Sequence, residues 1–144
     1  MIKRPELMTY ASTKTQVETA IKCGATHIIL EDSKASIRSF ESDFECPNFD
    51  KLSTLSALAR SLDPAIKLSF NCDLLAHEVH IPVLEKLVPA LKAANISMIR
   101  LQDPGLTMFF KTHYSEASLT LAMETSNTNT ESILAHKNWF NRQC

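Results

Sequence analysis

The chain has 144 residues with Lys+Arg 15 against Asp+Glu 16, long enough for one domain with a real core. With charges nearly balanced and no basic run longer than Lys3-Arg4, it shows no electrostatic footprint of a nucleic-acid binder. No apolar run approaches the ~18 residues that cross a bilayer and no apolar leader follows Met1, so the expectation is a soluble, cytoplasmic protein with no membrane partner.

The four cysteines, Cys23, Cys46, Cys72 and Cys144, are widely spaced and form no C-x-x-C pair. Without a secretory signal they are expected to be reduced thiols that pack as small hydrophobes.

Glu6-Leu7-Met8-Thr9 reads as a first short strand after Pro5. Ser12 or Thr13 caps a helix carrying Val17, Ala20 and Ile21, and Gly24 supplies its left-handed stop. His27-Ile28-Ile29-Leu30 forms the second strand, ending at Glu31-Asp32. Residues 33–47 lack periodicity and read as a long loop. Leu52, Leu55, Ala59 and Leu62 give the second helix stripe, closed by Asp63-Pro64. The third strand covers residues 66–72. Pro82 suits the first turn of a third helix with Leu84, Leu87, Val88 and Leu91, in which Pro89 predicts a kink.

Residues 97–101 form strand four, which stops at Gln102-Asp103-Pro104-Gly105, a turn opening a short fourth helix with Leu106, Phe109 and Phe110. Strand five spans residues 119–123. Thr128 or Thr130 starts a fifth helix with Ile133, Leu134 and Phe140, and the chain is expected to end inside it. Trp139 and Phe140 read as core or docking residues.

Strands alternating with helices imply a parallel sheet and an α/β fold. One strand parity is apolar (Leu7, Ile28, Leu30, Leu68, Phe70, Ile99, Leu101, Leu119, Leu121, Met123) and the other polar (Glu6, His27, Glu31, Lys67, Ser69, Asn71, Arg100, Gln102, Thr120, Glu124). A doubly wound sheet covered on both faces wants both parities apolar. The alternation therefore favours a barrel whose interior or mouth binds something polar.

Several of these residues resemble a known family. Pro5-Glu6-Leu7, Gly24-Ala25 before a strand, Ser36-x-Arg38, Asn48-Phe49, Asn71 at the end of strand three and, most specifically, Gln102-Asp103-Pro104-Gly105-Leu106 resemble the N-terminal region of the collagenase-like peptidase family U32. The likeness covers essentially the whole chain. It implies the first five βα units of a TIM-type (β/α)8 barrel, incomplete, forming a single partial domain over residues 1–144. It also implies a hydrolase of the peptidase kind. Other members hydroxylate tRNA or rRNA bases or a quinone precursor, some with an iron–sulfur cluster, and this is the second hypothesis. The third is non-catalytic: a remnant or half-barrel that docks to a partner.

The chain departs from the family pattern at Tyr10-Ala11-Ser12, after strand one, and at Glu31, where the family has Gly. The family's later His-Gly and cysteine-containing segment lies outside it. A cluster needs about four cysteine ligands in reach, and the spacing here does not offer them, so no cofactor and no metal are expected in this chain. Five units do not close an eight-stranded barrel. Strands one and five would present open edges, and the expectation is a homo-oligomer or a partner chain that completes the barrel.

The substrate-binding candidates are Glu31, Asn71, Asp73, Arg100, Gln102, Asp103, Glu124 and Asn127, all at strand ends, where side chains of a βα barrel converge. Asp103 and Asp73 can equally cap the turns that follow them, and Asn129 can cap the fifth helix. Glu31 and Asp32 are adjacent, so they point apart and do not form a dyad. Arg100 inside a strand needs a carboxylate or an anionic ligand. Glu6, Glu31 or Glu124 would be its structural partner, and a substrate carboxylate or phosphate its functional one. His77 and His80 stand three apart, unlike the four of the zinc-peptidase helix, and read as a solvated loop or helix start. No G-x-S-x-G elbow or Cys/His pairing marks a nucleophile. With two glycines in all, no phosphate-cradling loop is present.

Overall fold

A computed structural model of the chain describes residues 6–36, 49–122, 130–131, 134, 137–140 and 142–143. Its elements are β1 (Met8–Ala11), α1 (Lys14–Lys22), β2 (His27–Leu30), α2 (Asp50–Leu62), β3 (Lys67–Cys72), α3 (Ile81–Ala93), β4 (Met98–Leu101), α4 (Pro104–His113), β5 (Ser118–Leu121) and β6 (Arg142–Gln143).

Local chemistry sets the boundaries. Thr13 opens α1 with a capping box: its Oγ1 accepts from Gln16 N at 3.3 Å, while Gln16 Oε1 accepts from Thr13 N at 3.1 Å. Gly24, at φ +86°, lets the chain leave α1 through the left-handed region. A single 3-10 turn (Glu78–His80) leads into α3, which runs past Pro89 without ending. The C-terminal end of α3 is held from α2. Ser56 Oγ and Arg60 Nη1 donate to Ala94 O at 2.7 and 2.9 Å, and Arg60 Nη2 donates to Asn95 O at 2.6 Å.

All six strands lie parallel in the order β1-β2-β3-β4-β5-β6. Parallel crossovers are right-handed, so stepping one strand in the same direction each time puts every helix on the same face. Accordingly α1 packs on α2 and α2 on α3. The register lines up Ala11, Leu30, Phe70, Ile99 and Leu119 as one row on the helix side, with Cys72, Leu101 and Leu121 as the next. These residues are buried with Val17, Leu52, Leu87, Leu91, Leu106 and Phe110 from the helices, each large side chain contributing about 1.5–3 kcal/mol. The opposite face carries Tyr10, Ser69, Asn71, Arg100 and Thr120. This is the wall of an incomplete α/β barrel.

Three expectations are corrected. The first strand lies at Met8–Ala11, two residues later than expected, with unchanged parity. Helix four begins at Pro104. The chain does not end inside a fifth helix: after residue 134 it turns at 137–139 and adds β6, which pairs with β5 through Thr120↔Arg142 and Leu121↔Gln143. Phe140, expected on the helix stripe, is buried just before this strand. The outer strands are therefore β1 and β6, and not β1 and the fifth.

Candidate functional site

The polar side chains gather where the strands end. Because Leu30 pairs with Phe70, Glu31 emerges beside Asn71; Asn71 pairs with Arg100, and Arg100 with Thr120. An acid, an amide, a guanidinium and a hydroxyl thus stand at one level across four neighbouring elements. Arg142 takes the next register position.

Glu31 is buried, and its Oε1 accepts from Asn71 Nδ2 at 3.1 Å and from Ser36 Oγ at 3.4 Å. Asn71 Nδ2 also donates to Ser36 Oγ at 3.2 Å. The triangle fixes the carboxylate against rotation, since a buried acceptor is costly to leave unsatisfied. One step further along, Gln102 Nε2 donates to the Asp73 carbonyl at 2.6 Å and ties the end of β4 to the end of β3. Asp73 is fully buried. Asp103 is turned away to its own helix, its Oδ1 accepting from Leu106 N at 2.8 Å. Asp32 points apart from Glu31, as its position requires, and pairs with Lys51 of α2 at 2.8 Å.

Arg100 does not make the carboxylate pairing expected of it among the described residues. Glu6 forms its ion pair with Lys67 instead, and Glu31 is held by Asn71 and Ser36. The guanidinium lies 5.7 Å from the Tyr10 ring centroid, and its Nη1 donates to Tyr10 Oη. Its Nε is buried without a hydrogen-bond partner. Deeper on the same face, His27 Nε2 and Ser69 Oγ share a bond of 2.9 Å.

Tyr10, Ser36 and the His27–Ser69 pair were not foreseen as site residues. A strand at residues 6–9 leaves Tyr10 in a turn, whereas β1 as formed puts it on the parity of Arg100. The candidates Glu124 and Asn127 lie outside the described residues, as do Cys46 and Cys144.

The described cysteines offer no nucleophile on this face. Cys72 is fully buried on the helix side, and burial, with Asp73 and Asp103 adding to it, pushes its thiol far above the ordinary range. Cys23 is exposed at the end of α1. His80 Nδ1 accepts from the His77 amide at 2.9 Å within the turn before α3. Among the described residues no three His, Cys, Asp or Glu side chains gather to hold a metal, and no helix is long and apolar enough to cross a membrane.

Two cavities among the described residues lie elsewhere. One of about 460 Å³ separates β1 from α1, lined by Leu7, Met8, Tyr10, Gln16 and Cys23. The other, about 340 Å³, is lined by Lys111, Tyr114, Lys137 and Trp139. Neither contains the Glu31–Asn71–Arg100 row.

The sequence profile of peptidase family U32 matches residues 12–143. The chain belongs to peptidase family U32. Among solved structures it is similar to phosphonopyruvate hydrolase, with a TM-score of 0.62 and 16% identity, over 96% of this chain and 52% of that one. A second structure of phosphonopyruvate hydrolase, in complex with oxalate and Mg²⁺, gives a TM-score of 0.61 at 16% identity, over 96% and 53%. At that identity the likeness shows the fold alone. This U32 chain spans about half the length of the solved structures it matches. No curated protein sequence matches it.

Proposed function

We propose that this U32 family member supplies the substrate-binding wall of a barrel-type peptidase, with Glu31 as the general base. The observation that carries the reading is the row Glu31–Asn71–Arg100–Thr120, level across the strand ends on the face that no described helix covers. In βα barrels that end of the strands is where chemistry is placed. Family membership favours amide hydrolysis over the other reactions considered.

In this reading the Glu31 carboxylate, oriented by Asn71 and Ser36, takes a proton from a water molecule. The water oxygen attacks the substrate carbonyl carbon, the C–N bond breaks, and the proton passes to the leaving amine. Asn71 and Thr120 offer hydrogen bonds to the peptide group from the floor of the wall. The acting unit includes whatever closes the barrel between β6 and β1.

The test is cleavage of a fluorogenic peptide by the protein purified in its native assembly. Cleavage is expected, with kcat lowered about 100-fold or more in Glu31→Gln at unchanged circular dichroism. Absence of cleavage, or an unaffected Glu31→Gln, overturns the reading. Oxygen incorporation into RNA or a quinone precursor without peptide cleavage moves the function to the hydroxylation hypothesis.

A further inference from the structure

We infer that Arg100, braced by Tyr10, is a receptor for a free carboxylate, so that the substrate taken by this wall is a peptide read through an acid group. The inference rests on the wall being a substrate site and adds the chemical class of what it holds.

Arg100 is an ion with no counter-ion among the described residues. Arg100 stands inside β4, between Asn71 and Thr120. Among the described residues its guanidinium meets Tyr10: Nη1 donates to the phenol oxygen, and the ring lies 5.7 Å away. No acid among the described residues comes within ion-pair distance. Glu6 goes to Lys67 and Asp32 to Lys51, and Glu31 accepts from Asn71 and Ser36. A buried charged donor without a partner is unfavourable and uncommon in folded proteins, and Arg100 Nε is one.

Which edge of the guanidinium stays unpartnered then decides the ligand. Tyr10 occupies Nη1, the nitrogen on the side of the Cδ carbon. That leaves Nε and Nη2, whose N–H bonds run nearly parallel on the other side. This edge is the fork that meets both oxygens of a carboxylate. The Tyr10 contact tethers the guanidinium at Nη1, so part of its side-chain freedom is already lost before a ligand binds. Nε lies beneath the surface, so the ligand seats as the guanidinium pivots about the Tyr10 bond to present it. A phosphate can use the same fork. However, Glu31 in the same row repels a dianion about twice as strongly as a monoanion at equal distance, which favours the carboxylate.

The experiment is titration calorimetry with four probes: Ala-Ala, Ala-Ala-amide, N-acetyl-Ala-Glu-amide and inorganic phosphate. Wild type, Arg100→Gln and Arg100→Lys are compared, each checked for folding by urea denaturation. Ala-Ala or N-acetyl-Ala-Glu-amide is expected to bind at least tenfold more tightly than Ala-Ala-amide; which of the two binds tells a terminal carboxylate from a side-chain one. Arg100→Gln is expected to abolish the preference, and Arg100→Lys, which keeps the charge without the fork, to retain only part of it. Equal binding of acid and amide, or a preference that survives Arg100→Gln, overturns the receptor while leaving the wall. Tighter binding of phosphate than of either acid overturns the carboxylate class. Binding of no probe also overturns the inference, and the Glu31→Gln cleavage assay then decides the wall separately.

Discussion

The corner at Asp103-Pro104-Gly105 yields a quantitative prediction. Asp103 Oδ1 accepts from Leu106 N at 2.8 Å and caps α4, and a Cβ on Gly105 would stand 2.9 Å from that same oxygen. Asp103→Ala removes the cap and costs about 1 kcal/mol, within a range of about 0.5–2, whereas Asp103→Asn retains nearly all of it. Gly105→Ala gains about 0.8–1 kcal/mol of helix propensity. The new methyl group displaces the carboxylate and forfeits the cap, so the net change in the wild-type background is close to zero. Once Asp103 is Ala there is no cap left to lose, and the same Gly105→Ala change stabilises by about 0.8–1 kcal/mol. The cycle therefore closes with a coupling of about 1 kcal/mol, well above the ~0.3–0.5 kcal/mol scatter of independent sites. Urea denaturation of the four proteins at constant pH measures it. Additive single changes, or an Asp103→Ala protein as stable as wild type, would refute the capping argument and return Asp103 to the pool of ligand-facing groups.

Two further predictions concern stability. Cys72 is buried and its thiol is held above the ordinary range near pH 8.5. Below that pH it is protonated in both folded and unfolded chains and adds no pH dependence. Above it the unfolded chain loses the proton and the folded one keeps it, so stability falls as pH rises, by up to about 1.4 kcal/mol per pH unit. Tyr114, pushed up by burial and by Glu116, adds a fall of the same sign at higher pH. Denaturation midpoints between pH 8 and 10 are expected to drop in wild type and to flatten in Cys72→Ala; a flat wild-type profile contradicts this. Arg60→Ala is expected to cost about 1–2 kcal/mol, because two carbonyls at the end of α3 lose a charged donor. Arg60→Lys recovers less than half, and a loss under ~0.3 kcal/mol in Arg60→Ala would show the contact to be idle.

The strand parities were legible because parallel strands covered on one side alternate, and Ile28, Leu30, Phe70, Ile99 and Leu101 do fall on the helix side. The Gln102-Asp103-Pro104-Gly105 corner was legible as well, since its turn chemistry is local. What escaped depends on register, which no single strand encodes. Glu31 meets Asn71, and His27 meets Ser69, only because β2 and β3 align as they do. Glu6 was a candidate partner for Arg100 by charge alone, but it sits at the opposite end of the strands, beside Lys67. Tyr10 was hidden by a strand boundary drawn two residues early. The strand Arg142–Gln143 is too short to leave a periodic signal, and Phe140 beside it mimics a helix position.

The central claim is that substrate binds on the polar face of this partial barrel, which no described helix covers. Backbone NMR shifts followed during titration with a carboxylate-bearing dipeptide test it most directly. Perturbations are expected to concentrate at Glu31, Asn71, Arg100 and Thr120, with α1, α2 and α3 silent. Perturbations confined to the cleft between β1 and α1, or to the helices, would contradict it.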